Sequence, residues 1–206
     1  LGSTIVVMEH FDAAEALALI EKHHVTHSQW VPTMFVRMLK LPDEVKKKYD
    51  LSSLKHVVHA AAPCPPEVKR AMIEWWGPII VEYYGATESG AVVFNDSKDW
   101  LANPGTVGKP HERCEVRILD EAGMVVPAGQ TGTIFFANGP AFEYHNDPAK
   151  TASARSAEGW TTLGDVGHLD ADGFLYLTDR KKDMIISGGV NIYPQEVENL
   201  LVTHPK

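Results

Sequence analysis

The first ninety-odd residues alternate strand-like and helix-like patterns, and this restricts the fold more than any other feature. Ile5-Val6-Val7-Met8 reads as a strand. Phe11-Asp12 then opens a helix: Asp12 suits the N-cap, Glu15 follows three residues on as in a capping box, and Ala13, Ala16, Leu17 and Ile20 recur on one face. Val25 to Val31 reads as the next strand and stops at Pro32. Met34, Phe35, Met38 and Leu39 recur at helical spacing and are core candidates. A further strand, Lys55-His56-Val57-Val58-His59, runs into Ala60-Ala61-Ala62-Pro63. Those small side chains permit either close approach of a flat group or tight packing. Pro65-Pro66-Glu67 starts a helix with proline in its first turn; it runs to about Trp76 and is broken by Gly77-Pro78. Such alternation predicts an α/β layer with a largely parallel sheet.

The central stretch follows. Ile79-Ile80-Val81 is an apolar run suited to a short buried strand, and Glu82-Tyr83-Tyr84-Gly85-Ala86-Thr87-Glu88-Ser89 continues it. Gly85 allows a tight turn or close approach to a ligand. Open α/β sheets bind ligands at the carboxyl ends of their strands, and this strand ends in a hydroxyl and a carboxylate. Thr87 can hydrogen-bond a phosphate oxygen, and Glu88 can hold a hard cation such as magnesium. A strand end followed by a solvated turn accounts for these residues equally well.

Near Asn95 the pattern changes. Glu115 to Leu119, Thr131 to Phe136 and Phe174 to Leu177 read as short strands, with turns at Asp120-Glu121-Ala122-Gly123 and Asp170-Ala171-Asp172-Gly173. A small antiparallel β-barrel or sandwich is predicted here. Asp170-x-Asp172-Gly173 lacks the later ligands of a calcium loop and reads as a hairpin turn. Pro194 to Val202 begins a helix with Val197, Leu200 and Leu201 on one side. The predicted domains are residues 1–95, an α/β part; 96–180, the barrel; and 181–206, the start of a C-terminal α+β domain.

Composition excludes several classes. The net charge is −8 over 206 residues, and nucleic acid is not an expected partner without a clustered basic field. Lys46-Lys47-Lys48 reads as a solvated loop. Cys64 and Cys114 are far apart, which suggests neither a disulfide framework nor a zinc site and fits a reducing cytoplasm. His23, His24 and His27 lack acidic or cysteine companions at ligand spacing and read as helix-end and loop residues. No apolar run approaches the roughly 20 residues of a membrane span.

Three motifs in order carry a resemblance. They are Tyr84-Gly85-Ala86-Thr87-Glu88, then Gly159-Trp160-Thr161-Thr162-Leu163-Gly164-Asp165-Val166-Gly167, then the run from Asp179-Arg180-Lys181-Lys182-Asp183 through Ser187-Gly188-Gly189-Val190-Asn191-Ile192-Tyr193-Pro194. Together they resemble the adenylate-forming superfamily of acyl-CoA synthetases, peptide-synthetase adenylation domains and beetle luciferases. The resemblance implies a two-step reaction with ATP, Mg2+ and CoA. A carboxylate attacks the α-phosphate to give an acyl-adenylate and pyrophosphate, and the CoA thiol then displaces AMP.

By that resemblance Thr87 bonds the α-phosphate and Glu88 holds magnesium, the two being the catalytic pair. Ala61, Ala62, Glu82, Tyr83, Tyr84 and Gly85 belong to the ATP or AMP site, with Tyr83 and Tyr84 enclosing adenine. Asp165 and Arg180 reach the ribose, Lys182 is a hinge between half-reactions, and Ser187, Gly188 and Gly189 line the CoA path. Trp30, Met34, His59 and Ala91 are candidates for an acyl pocket. The ending Ser187 to Pro194 is more similar to CoA ligases than to the other branches, which implies a fatty acyl substrate, with an arylpropenoate second. A non-catalytic nucleotide- or acyl-binding module is the competing class.

Some family features fall outside the matched stretch. The family's phosphate loop lies upstream of it, and the catalytic lysine lies beyond Lys206. Within the barrel, Gly132-Thr133-Ile134 and Asn138-Gly139-Pro140 stand where the family often has Gly-Glu-Leu and Arg-Gly-Pro. The expectation is an internal fragment of an acyl-CoA ligase, inactive in adenylation by itself, with apolar surface that a second copy could cover.

Overall fold

The computed structural model describes residues 2–138, 142–180, 183–187, 190–202 and 204; at 186, 187, 190, 191 and 196 it describes the backbone alone. In chain order the elements are α1 (Ala13–His23), β1 (His27–Trp30), α2 (Pro32–Leu39), α3 (Asp43–Lys46), β2 (His56–His59), α4 (Pro66–Trp76) and β3 (Ile80–Ala86). They continue with β4 (Gly90–Asp96), α5 (Ser97–Ala102), β5 (Lys109–Pro110), β6 (Glu115–Leu119), β7 (Gly132–Ala137) and α6 (Pro148–Ser153). The last are β8 (Thr161–Leu169), β9 (Leu175–Arg180), β10 (Ile185–Ser187), β11 (Val190–Ile192) and α7 (Pro194–Val202). One mixed sheet has the order β1-β2-β3-β4-β5; an antiparallel sheet has the order β6-β7-β8-β9; β10 and β11 form a two-stranded hairpin. No described helix is long and apolar enough to cross a membrane.

The chain divides into two compact units, Leu1–Val81 with Asp96–Lys98, and Glu82–Asn95 with Asp99–Lys206. In the first unit the capping box forms as the sequence predicts: the Asp12 carboxylate accepts the Glu15 amide at 2.8 Å. Helix α1 buries Ala13, Ala16, Leu17 and Ile20 and ends at His24, which adopts a left-handed φ of 48°. Strands β1 and β2 pair in parallel, from His27↔His56 to Trp30↔His59. Helix α2 buries Phe35 and Met38 completely. Helix α4 starts at Pro66 and buries Val68, Lys69, Met72 and Ile73. Burying apolar side chains of this size is worth about 1.5–3 kcal/mol each.

Three local expectations change in this unit. Residues 2–8 have no regular structure, and Ile5 and Val7 are 80% exposed, so the predicted strand Ile5–Met8 does not form. Apolar alternation makes a strand only when a neighbour completes its ladder. Lys46 is not a solvated loop residue: it closes α3, its ammonium lies 2.8 Å from Asp43 and donates to the Leu39 carbonyl at 3.3 Å. His27 opens β1 instead of sitting in a loop.

In the second unit, β4 pairs with β5 antiparallel through Val93↔Pro110 and Phe94↔Lys109. Val92, Val93, Val107, Val116, Ile118, Ile134, Phe136 and Leu175 form its core. The predicted barrel is an open four-stranded sheet among the described residues. The free side of β9 is occupied at its start: Leu175 bridges Gly108, giving its amide to the Gly108 carbonyl at 2.8 Å and accepting the Val107 amide at 2.9 Å. Asp170 accepts the amides of Asp172 and Phe174, both at 2.9 Å, which makes the predicted hairpin turn between β8 and β9. Helix α7 joins β9 where the Asp179 carboxylate accepts the Gln195 amide at 3.2 Å.

Candidate functional site

The end of β3 is shaped by one glycine. A Cβ on Gly85 would overlap the carbonyl oxygen of Gly90, so the two strands β3 and β4 approach closely because residue 85 has no side chain. Ser89 holds the turn between them. Its hydroxyl accepts the Ala86 amide at 3.2 Å and donates to the Gly90 carbonyl at 3.0 Å. Thr87 and Glu88 are thereby presented at the tip, Thr87 exposed and Glu88 half-buried. Glu88 Oε1 accepts a hydrogen bond from the Tyr144 phenol at 3.1 Å.

A second carboxylate sits in the same unit. Asp165 lies buried on β8, directly across the ladder from Arg180 on β9, and is not a turn residue. Its Oδ2 accepts the Tyr84 phenol at 2.6 Å, and its Oδ1 lies 3.5 Å from Arg180 Nε. Burial raises the Asp165 carboxyl above its ordinary value, with Tyr84 and Arg180 opposing that rise. Burial, then the Asp165 charge, pushes the Tyr84 phenol far up, so Tyr84 is the fixed proton donor of the pair. The Tyr84 ring also lies 6.1 Å from Phe136. Alternation along β3 places Glu82 and Tyr84 on one face and Tyr83 on the other. Thr87, Glu88, Tyr83, Tyr84, Gly85, Glu82, Asp165 and Arg180 thus all belong to the second unit.

The other predicted site residues are distributed differently. Ala61 and Ala62 are exposed just after β2 in the first unit, and Ala61 holds a left-handed φ of 75°. Trp30 and His59 are cross-strand partners in that unit, and Met34 is half-buried on α2. Phe35 links His59 to the tryptophans, with ring centroids 5.5 Å from His59 and 6.1 Å from Trp76; Trp76 in turn lies 6.1 Å from Trp30. Burial, and then the nearby Lys69 charge, lowers the His59 imidazole to about 3. Ala91 is exposed on β4 in the second unit. Ser187 lies on β10, and Lys182, Gly188 and Gly189 lie outside the described residues.

Sequence reasoning missed Tyr144, Lys69 and the link from Tyr84 to Asp165. Tyr144 and Tyr84 are 56 and 81 residues from their partners, and no local pattern connects them. Lys69 did carry a signal: it falls on the same helical stripe as Val68, Met72 and Ile73.

The family described as AMP-binding enzyme is matched over residues 1–142, and the chain belongs to that family. It is 37% identical to the medium/long-chain-fatty-acid–CoA ligase FadD8 of Mycobacterium tuberculosis, over 99% of this chain and 36% of that protein. It is 36% identical to 4-coumarate–CoA ligase-like 2 of Arabidopsis thaliana, over 100% of this chain and 37% of that protein. Among solved structures it resembles the amide bond synthetase McbA from Marinactinospora thermotolerans, with a TM-score of 0.84 and 33% identity, covering 96% of this chain and 41% of that one. It also resembles the O-succinylbenzoate CoA synthetase MenE of Bacillus subtilis solved with ATP and magnesium ion, with a TM-score of 0.80 and 31% identity, covering 96% and 40%. The chain spans between 36% and 38% of the length of FadD8, 4-coumarate–CoA ligase-like 2 and a similar CoA-ligase relative.

Proposed function

We propose that the chain supplies nucleotide- and acyl-handling residues to an ATP-dependent acid–thiol ligase. That enzyme activates a carboxylic acid, most simply a fatty acid, as its acyl-adenylate and transfers the acyl group to CoA. In this reading residues 1–95 and 96–180 are the two parts of the adenylating domain, and 181–206 begin a C-terminal domain hinged at Lys182.

The observation that carries the proposal is Asp165. A carboxylate has about four acceptor positions. Tyr84 and Arg180 occupy one side of each oxygen, and the two remaining positions suit the adjacent hydroxyls of a ribose. Tyr83 and Tyr84 each offer a ring for adenine, and because they lie on opposite faces of β3 only one of them meets it. Thr87, held at the tip by Ser89, donates its hydroxyl to an α-phosphate oxygen. Glu88 suits magnesium for a specific reason. Among the described residues no group of three or more His, Cys, Asp or Glu could hold a metal by itself. Magnesium bound with a polyphosphate needs one or two carboxylates and takes its other oxygens from phosphate and water. When bound, the ion supplies charge neutralisation to the phosphate oxygens. In the first half-reaction the substrate carboxylate oxygen bonds to the α-phosphorus and the bond to pyrophosphate breaks. In the second, the CoA sulfur bonds to the acyl carbon and AMP leaves. Positioned donors, not a protein nucleophile, serve both steps. Ser187, Gly188 and Gly189 line the thiol's approach.

Within the first unit, Trp30, Met34 and His59 are the acyl-pocket residues of this reading. The linked rings of Trp30, Phe35, Trp76 and His59 also favour a second reading, an arylpropenoate substrate. The test compares AMP with 2′,3′-dideoxy-AMP on the wild-type chain and on Asp165→Ala. Paired hydrogen bonds of about 1–3 kcal/mol predict a roughly 5- to 150-fold preference for AMP that vanishes in the variant. Equal binding of the two nucleotides by the wild type removes Asp165 from the ribose site. ATP–pyrophosphate exchange with fatty and arylpropenoic acids separates the two substrate readings. A ligand-sensing module would bind nucleotide without exchange in any protein that contains the chain.

A further inference from the structure

We infer that Tyr144 is the positioning residue for Glu88: its phenol fixes the carboxylate that meets the cation. The inference rests on the nucleotide reading above. Glu88 stands at a turn tip on a long side chain with several rotamers. The phenol donates to its Oε1 at 3.1 Å, which selects one of them and leaves Oε2 as the oxygen to meet the metal.

Tyr144 can do this because it is itself held. Its amide donates to Thr151 Oγ1 at 2.9 Å, and that hydroxyl donates to the Asp147 carbonyl at 2.9 Å. The Asp147 amide returns to the Tyr144 carbonyl at 3.1 Å, closing the loop. The Asp147 carboxylate caps α6 through the Lys150 amide at 2.9 Å. The ring meets Phe142 edge-on, with centroids 5.5 Å apart, and Lys150 Nζ lies 3.8 Å from its centroid. A cation over a phenol ring is attracted to the ring's face and helps to hold the ring in place. The segment from Phe142 to Thr151 therefore aims one hydroxyl at one carboxylate oxygen. Hydrogen bonds of this kind fix the orientation of metal-binding groups, and their loss typically costs 10- to 100-fold in metal affinity.

The test uses the 206-residue chain, its Tyr144→Phe variant and its Lys150→Met variant. Binding of α,β-methylene ATP is measured by calorimetry in EDTA and across a Mg2+ titration, with melting curves to confirm that each variant is folded. In Tyr144→Phe the Mg2+ concentration needed for half of the affinity gain rises by about 10-fold or more, while affinity in EDTA stays unchanged. Lys150→Met moves it less, in the same direction. An unchanged Mg2+ dependence in Tyr144→Phe overturns the inference. So does an equal fall with and without Mg2+, which would mark a packing role, and so does wild-type affinity that ignores Mg2+. A wild-type chain that binds no nucleotide under either condition refutes the nucleotide reading itself, and this inference with it.

Discussion

Replacing Tyr84 by Phe removes one oxygen and leaves the ring in place, so its effect isolates the bond to Asp165. That bond is short, 2.6 Å, and its acceptor is buried. Hydrogen bonds to charged groups contribute about 1.5–3 kcal/mol, and low exposure leaves little solvent screening to reduce this. The pH dependence gives the sharper signature. The Asp165 carboxyl is raised above its ordinary value of 3.8 by burial, although Tyr84 pulls it down. A carboxyl with a raised folded pKa holds its proton longer in the native chain. Its contribution to stability is therefore full below the unfolded pKa and is lost as pH rises through the folded one. Removing the Tyr84 hydroxyl raises the folded pKa further and deepens that loss at neutral pH. Tyr84→Phe should cost about 2 kcal/mol at pH 7 but only about 1 kcal/mol well below the ordinary carboxyl value of 3.8, where a neutral carboxyl accepts the bond. Urea unfolding at the two pH values, followed by tryptophan fluorescence with Trp30, Trp75, Trp76 and Trp160 replaced by Phe so that the buried Trp100 of the same unit reports alone, measures both figures. An equal cost at both pH values would refute the argument, because it would mean that the phenol does not act on the charged form.

Three further outcomes follow from single residues. Gly85→Ala should cost about 3 kcal/mol or more by urea unfolding, since its Cβ would overlap the Gly90 carbonyl, which is backbone and cannot swing aside. Ala61→Gly should be neutral or stabilising by up to about 1 kcal/mol, because glycine removes the penalty of the left-handed φ of 75° while costing chain entropy; Ala62→Gly, measured the same way, should only destabilise. The His59 imidazole, lowered to about 3, should show no NMR titration between pH 5 and 8, and Lys69→Met should raise its pKa by removing the nearby charge. Because that imidazole is neutral when folded, its linkage makes the chain less stable as pH falls from 6.5 toward 3.

Local physics was legible in the sequence, and long-range pairing was not. The N-cap at Asp12, proline at the start of α4 and the turn at Asp170 each follow from a few adjacent residues, and each forms. Ile5 to Met8 have strand composition, but a ladder partner is a tertiary fact; these residues join no strand, and Ile5, Val6 and Val7 stay exposed. The barrel expectation failed in the same way. Its strands β6 to β9 occur, but closure depends on which edge meets which, and Gly108 takes up part of the β9 edge. Lys46 was misread because a basic run suggests solvent, whereas Asp43 one turn earlier and the Leu39 carbonyl capture its ammonium.

The candidate site divides along the same line. Motif order pointed to Glu88 and Asp165, and the chemistry of a carboxylate suggested what each could bind. What makes either of them a defined acceptor comes from elsewhere in the chain. Asp165 receives a phenol from β3, and Glu88 receives one from the segment before α6. The two phenols are used differently. Tyr84 is half-buried against a buried acceptor, so it governs how readily Asp165 keeps its charge. Tyr144 reaches a half-buried carboxylate at a turn tip, so its main effect is on direction. Loss of the first should therefore appear in stability as a function of pH, and loss of the second in affinity as a function of Mg2+. If the two variants exchanged these signatures, the difference in burial between Asp165 and Glu88 would not be what separates their roles.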